Sequence, residues 1–156
     1  AIAAYTAKAA EKVRKHRSLA SQLFVFIEKH PFALCDSSYA TITLSEPTSH
    51  TPQLIQRAKE AITTLFKQGT AYRKVGVILE GLVSESCYQQ DLFAQQPNNG
   101  CQNAAVMKLM DQMNKHFGRR IIHTAAEGVK QEWKMRQQQQ SNHYTTDWNQ
   151  ILTIKI

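Results

Sequence analysis

Histidine, cysteine and carboxylate side chains are all present in the sequence, but not at a spacing typical of catalysis. A P-loop, a G-x-S-x-G motif and an H-E-x-x-H motif are absent. No D-x-D or Asp-Glu pair is available to hold two metal ions. Glu127 and Glu132 come nearest, but their five-residue spacing puts them on different faces of a helix. We therefore expect no active site, no metal site and no cofactor in this chain.

The cysteines and histidines suggest ordinary structural roles. Cys35, Cys87 and Cys101 are widely spaced and form no C-x-x-C pair, which predicts reduced thiols rather than a disulfide framework. The six histidines are scattered, without the spacing of zinc ligands. No run approaches the ~18 apolar residues of a membrane helix, and the N-terminal charges follow the apolar residues, the reverse of a secretory signal. We expect a soluble, cytoplasmic protein.

One short stretch places two large apolar side chains in a polar, turn-rich segment. It reads Gln89, Gln90, Asp91, Leu92, Phe93. No helical or strand period surrounds Leu92 and Phe93, and turn-forming residues follow at 97–100. This is the pattern of a linear motif that docks in a pocket, where each apolar side chain gains about 1.5–3 kcal/mol on burial and the Gln89 amide fixes the register. The alternative is a pair that packs back on its own domain.

A second candidate site combines hydroxyl groups, a lysine and a glycine on the predicted outward face of a sheet. Its members are Tyr39, Thr41, Thr43, Tyr72, Lys74 and Gly76. Hydroxyls and a lysine suit contacts to phosphates that do not depend on base sequence, and a glycine permits close backbone approach. An ordinary solvated sheet face is the alternative.

Basic residues concentrate at the two ends of the chain. Residues 1–30 and 105–156 each carry a net charge of +4, whereas 31–104 carry −1. Two basic regions around a neutral middle suggest contact with a polyanion at two places, although a solvated charged surface would look the same.

Hydrophobic periodicity predicts the elements that position these groups. Residues 2–16 and 51–68 have the apolar spacing of helices, the second with Thr51 as N-cap, Pro52 at its first position and Gly69 at its end. Residues 19–28, 39–46 and 71–82 alternate as strands. The order α-β-β-α-β predicts an α+β fold, a two-layer sheet with both helices on one face. The first strand of the common β-α-β-β-α-β unit is not in the chain.

A smaller α+β module is predicted to follow. Its elements would be a helix over 103–116, a strand over 121–126, a polar helix over 131–140 and a strand over 151–156. The predicted organisation is a domain at 1–84, a linker at 85–102 that carries the apolar pair, and a small domain at 103–156.

Six stretches in order resemble the C-terminal part of UmuC-type, Y-family translesion DNA polymerases. They are YTAKAAEKVR (5–14), FIEKHPFAL (26–34), YRKVGVILEGL (72–82), QQDLF (89–93), LMDQMNKHFGRR (109–120) and EGVKQEWKMRQQQQSNHYTTDWNQILTIKI (127–156). The resemblance implies that 1–84 is the family's DNA-gripping little finger and 103–156 its small C-terminal domain. Near the end, Asn142, His143 and Asp147 replace a proline and two arginines of the family pattern, which removes positive charge.

The resemblance also implies specific contacts. Residues 89–93 match the motif that binds the β sliding clamp, with Gln89, Leu92 and Phe93 at its anchor positions. Lys74 and Gly76 match the strand segment along the template backbone. Arg73, which alternates to the other face, is a weaker candidate. Thr41, Thr43 and Tyr72, which come from the predicted sheet face and not from the resemblance, complete the expected DNA-binding set.

Further expectations concern the whole protein. The resemblance implies primer-template DNA, the clamp, a UmuD-type subunit and the recombinase filament as partners in the SOS response, close to the nucleoid. Mg²⁺ would bind only in the palm domain, which this chain lacks. Two other hypotheses remain: a clamp-dependent adaptor from a catalytically inactive homologue, and a free-standing RNA-binding ferredoxin-like domain. The latter is disfavoured because the third strand lacks the aromatic pair on which such domains stack bases.

Overall fold

The structure, a computed structural model, describes residues 1–29, 37–88, 100–118, 120–131, 133 and 141–151. Up to residue 118, the described helices and strands follow one another in the predicted order. The elements are α1 (Ile2–Lys15), β1 (Ser18–Glu28), β2 (Ser37–Thr48), α2 (Thr51–Leu65), β3 (Lys74–Ser84) and α3 (Gly100–Phe117), with 3₁₀ turns at Ala125–Glu127 and Trp148–Gln150. The predicted α+β fold is confirmed.

The three strands form one antiparallel sheet with β1 in the middle, in the order β2-β1-β3. Phe24 lies opposite Thr41 on β2 and opposite Ile78 on β3. The register between β1 and β2 shifts between Ala20 and Gln22. Since β1 is paired on both sides, its side chains occupy the centre of each sheet face.

Both α1 and α2 pack on one face of this sheet, as predicted. Leu23 and Val25 of β1 are fully buried against Ala58 and Ala61 of α2. A neighbouring cluster joins Ala10 of α1, Leu44 and Leu54. The alternation of β1 therefore directs residues 23, 25 and 27 to the helices and residues 24 and 26 to the opposite side.

The start of α2 differs by one residue from the prediction. His50 is the N-cap and Thr51 is the first helical residue, with Pro52 in the first turn as expected. Thr51 is fully buried, and its Oγ1 accepts a hydrogen bond from Nη1 of Arg14 at 2.7 Å. The helix ends at Leu65 rather than at Gly69, which has a positive φ of 82° in the turn that follows.

The prediction of a strand over 121–126 is wrong. Ile121 and Ile122 lie in a bend, because the Asn114 amide donates to the Ile122 carbonyl at 2.8 Å and accepts from its N–H at 2.9 Å. Thr124 and Glu127 then form a capping box around the 3₁₀ turn. Most of the predicted helix at 131–140 and strand at 151–156 lies outside the described residues.

Candidate nucleic-acid interface

The outward face of the sheet, opposite α1 and α2, carries most of the predicted DNA-binding residues. Thr41 and Thr43 on β2 point to this side, because Ala40 and Ile42 between and beside them pack into the core. Lys74 and Gly76 on β3 lie there too, since Val77 packs in the core and the alternation continues to Lys74. The structure thus brings these four predicted residues to one surface.

Two phenylalanines that sequence reasoning missed lie between them. Phe24 and Phe26 project from the central strand to the outward face, flanked by Tyr39 on β2. The ring centroids of Phe24 and Tyr39 are 5.6 Å apart with a stacked interplanar angle of 25°, and those of Phe24 and Phe26 are 6.2 Å apart. We call Tyr39, Phe24 and Phe26 the aromatic row. Tyr39 at its outer end is 66% exposed.

The alternation of β1 was the signal that could have found the row. Placing Leu23, Val25 and Ile27 inward obliges Phe24 and Phe26 to point outward. Large apolar side chains clustered on the sheet face opposite the helices indicate a contact surface more often than isolated exposed residues do.

Gly76 has a defined steric role beside the row. A Cβ atom at this position would lie 2.2 Å from Cζ of Phe26. The Phe26 ring therefore lies directly across the backbone of β3, which only a glycine permits. A close approach to the backbone was predicted at Gly76, and the group that approaches it is the Phe26 ring of the protein itself.

Lys74 is held at the inner end of the row. Its Nζ lies 5.3 Å from the centroid of the Phe26 ring and 3.4 Å from Oε1 of Glu28. Both side chains of this ion pair are substantially exposed, so solvent screens their attraction. Lys74 keeps an accessible positive charge that Glu28 partly offsets.

The end of the sheet beside Lys74 is a basic pocket, by which we mean the cavity lined by Glu28, Lys29, Arg73 and Lys74. The N–H of Arg73 donates to the carbonyl of Glu28 at 2.9 Å, which fixes the approach to β3. Arg73 precedes the strand, so the predicted alternation does not determine its side. It lies instead close to Lys74 around the same cavity.

The prediction that the Tyr72 side chain lies on the outward face as part of the third strand is wrong. The third strand begins at Lys74 rather than at residue 71, so strand alternation does not extend to Tyr72. The Tyr72 ring packs 5.5 Å from that of Phe66, just past the end of α2, and its hydroxyl accepts a hydrogen bond from the Lys67 N–H at 2.9 Å. Tyr72 secures the connection between α2 and β3.

The predicted clamp-binding residues Gln89, Gln90, Asp91, Leu92 and Phe93 lie outside the described residues. In the part of the chain that the structure describes, no group of three or more His, Cys, Asp or Glu side chains could hold a metal ion. No helix in these same ranges is long and apolar enough to cross a membrane.

Among the described residues, the side chain of His50 has a pKa shifted from its usual value. Burial lowers the pKa of its imidazole below the usual value of 6.5, and the nearby charge of Arg14 lowers it further. Because His50 is the N-cap of α2, protonation would place a positive charge at the positive end of that helix dipole.

Comparison with known proteins identifies the relatives of this chain. The family model described as the impB/mucB/samB family C-terminal domain matches residues 1–92, more than half of the sequence. The chain belongs to the impB/mucB/samB family. A second domain model, described as a domain of unknown function (DUF4113), matches residues 104–154.

Several curated members of this family are similar over essentially the whole chain. Protein UmuC of Salmonella typhimurium is 31% identical over 99% of the chain, and protein MucB of Escherichia coli is 34% identical over 99%. Protein ImpB of Salmonella typhimurium is 32% identical over 100%. The chain spans 37% of the length of each of these relatives. The resemblance to the C-terminal part of UmuC-type Y-family polymerases is thereby confirmed.

The two matched regions of this impB/mucB/samB family chain are in contact. Arg14 of α1 forms a bidentate ion pair with Asp111 of α3. Its Nε and Nη2 donate to the two carboxylate oxygens of Asp111 at 2.6 and 2.9 Å. Arg14 also donates to the Ser49 carbonyl at 2.7 Å. Nearer the start of α1, Tyr5 packs edge-on against Trp133, with their centroids 5.1 Å apart. Through these two contacts, the described part of the C-terminal region packs against α1 in the helical layer.

Proposed function

We propose that this chain is the non-catalytic DNA-binding and clamp-binding region of an error-prone translesion DNA polymerase that acts in the SOS response. Family membership supports the polymerase context. The observation that carries the DNA-binding part is the outward sheet face, opposite the two helices, which holds Thr41 and Thr43 on β2 and Lys74 at the start of β3. Hydroxyls and an ammonium group are donors that bind phosphate oxygens without selecting a base sequence.

The polymerase reaction itself belongs to the rest of the protein in this proposal. Mg²⁺ would be held by a palm domain elsewhere, and residues 103–156 are the proposed region of contact with a UmuD-type subunit or the recombinase filament. This chain contributes grip on primer-template DNA and attachment to the β sliding clamp. Attachment close to the DNA raises the effective concentration of a weakly binding peptide, so a five-residue motif suffices.

Clamp attachment is tested by pull-down with purified β sliding clamp. The double variant Leu92→Ala with Phe93→Ala removes both apolar anchors and should abolish retention of the chain while leaving its circular dichroism spectrum unchanged. The matched control, Gln95→Ala with Gln96→Ala, changes two neighbours outside the motif and should retain wild-type binding. Normal clamp retention by the Leu92/Phe93 variant would refute the linear motif.

DNA binding is tested separately by fluorescence anisotropy with a labelled primer-template. We expect weak binding that falls steeply with salt and is indifferent to base sequence, because released counterions dominate such contacts. Strong preference for one sequence, or affinity that does not change with salt, would contradict the proposed phosphate contacts.

A further inference from the structure

The outward face is aromatic rather than strongly basic, and this bears on which form of DNA it binds. Among the described residues of the three strands, Lys74 is the one lysine on this face, and Glu28 lies 3.4 Å from it. Glu80 is on the same side of β3, opposite Gln22. The phosphate contacts that this face can offer are therefore few, and contacts to bases would add to them where a strand is unpaired.

We propose that the aromatic row is a stacking platform for the unpaired bases of single-stranded DNA. This inference rests on the proposed function and specifies its substrate as the unpaired strand. An aromatic ring stacks on the flat face of a base, and in a duplex those faces are already covered by neighbouring base pairs. Single-stranded DNA exposes them.

The geometry of the row is suited to this contact. Phe24 supports one side of the Tyr39 ring at an interplanar angle of 25°, and the 66% exposure of Tyr39 leaves the rest of it accessible. Phe26 continues the apolar surface toward β3, where the absence of a side chain at Gly76 leaves room for its ring. The three rings, on two adjacent strands, are neighbours, with Phe24 and Phe26 half-buried and Tyr39 exposed as the first contact for a base.

The basic pocket supplies the matching contact for the backbone. Arg73 and Lys74 line it at the Phe26 end of the row. A strand whose bases stack on the row can place a phosphate near these two cations. Stacking plus a short basic stretch is the combination that binds single strands with little sequence preference.

The test compares four labelled ligands of equal length with the full 156-residue chain: oligo-dT, oligo-U, an abasic oligonucleotide with the same phosphates, and a blunt duplex. We expect oligo-dT to bind about tenfold more tightly than the abasic strand, as base–aromatic stacking predicts, and more tightly than the duplex. Equal affinity for oligo-dT and the abasic strand would overturn the stacking platform. Equal or tighter binding of oligo-U would overturn the assignment to DNA.

Variants at the exposed end of the row provide the residue-level test. Tyr39→Ala should weaken oligo-dT binding about tenfold and leave abasic binding unchanged, whereas Tyr39→Phe keeps the ring and should bind like wild type. Glu28→Gln should strengthen binding to both strands, since it removes the charge that offsets Lys74. A Tyr39→Ala protein that melts like wild type and binds oligo-dT normally would refute the proposal.

The outcomes separate this inference from the proposed function. Salt-sensitive primer-template binding with no difference between oligo-dT and the abasic strand would retain the DNA-binding proposal and remove the stacking platform. Loss of binding to every ligand would remove both, and the clamp pull-down does not depend on either result.

Discussion

The guanidinium of Arg14 and the carboxylate of Asp111 meet through two parallel hydrogen bonds of 2.6 and 2.9 Å, although the residues are 97 positions apart in the sequence. The two side chains are only 12% and 27% exposed. The same guanidinium reaches the Ser49 carbonyl and the Thr51 hydroxyl at the start of α2. One side chain therefore connects α1, the beginning of α2, and α3.

Arg14→Ala should lower the free energy of unfolding by about 1.5–3 kcal/mol, because hydrogen bonds to charged groups are lost and a half-buried carboxylate is left without its partner. The measurement is a urea unfolding curve. Arg57→Ala is the matched control: it breaks the exposed Arg57–Glu60 pair, whose members are 47% and 49% exposed, and should cost less than about 0.5 kcal/mol. Equal costs for the two variants would show that the Arg14 contact contributes nothing beyond a surface ion pair.

Gly76→Ala should destabilise the protein by about 1–3 kcal/mol, the usual cost of adding a methyl group to a filled space. The Phe26 ring occupies that space and must leave the strand. The informative measurement is a double-mutant cycle with Phe26→Ala. In that background Gly76→Ala should be neutral or stabilising, because alanine restricts the unfolded chain more than glycine does. A cost that persists without the Phe26 ring would point to another clash.

Stability should decline as the pH falls below about 6.5, and His50 should account for part of the decline. Its pKa is lowered in the folded state by burial and by Arg14, so the unfolded chain takes up the proton first and is favoured by acid. The glutamine side chain of the His50→Gln variant takes up no proton. This variant should therefore show a flatter dependence of the unfolding midpoint on pH between 7 and 5. An identical slope in the variant and the wild type would assign the decline to other groups.

Local periodicity was sufficient to predict much of the fold. The strict alternation of Ala40, Ile42 and Leu44, and the wide apolar stripe from Leu54 to Leu65, gave β2 and α2 because both elements bury one face. The end of α2 was misplaced because Gly69 looked like a C-cap, whereas Phe66 already adopts an extended conformation. The segment at 121–126 has the composition of a strand, but its backbone is bound by the distant Asn114 amide, which no local pattern reveals.

The candidate site was predicted in part for the same reason. Thr41, Thr43, Lys74 and Gly76 follow from alternation within single strands. Phe24 and Phe26 were overlooked because the alternation of residues 19–28 was used to predict a strand, and the side chains on its outward face were not considered as part of a site. Tyr72 was misplaced because β3 starts two residues before Gly76, and a tyrosine just outside a strand is positioned by its tertiary contact with Phe66.

The junction between the two regions sets a limit on reach. The end of β3 is fixed to the start of β1 through the Glu85 N–H and the Arg17 carbonyl, and α3 is fixed to α1 through Asp111. Eleven residues, 89–99, separate the described parts of the chain on the two sides of this junction. At ~3.5 Å per residue, a linker of that length fixed at both ends has a reach of at most about 20 Å. In the proposed function, a clamp bound at 89–93 would therefore stay close to this chain. Its orientation would be restricted, because the motif is attached at both ends and is not part of a free tail.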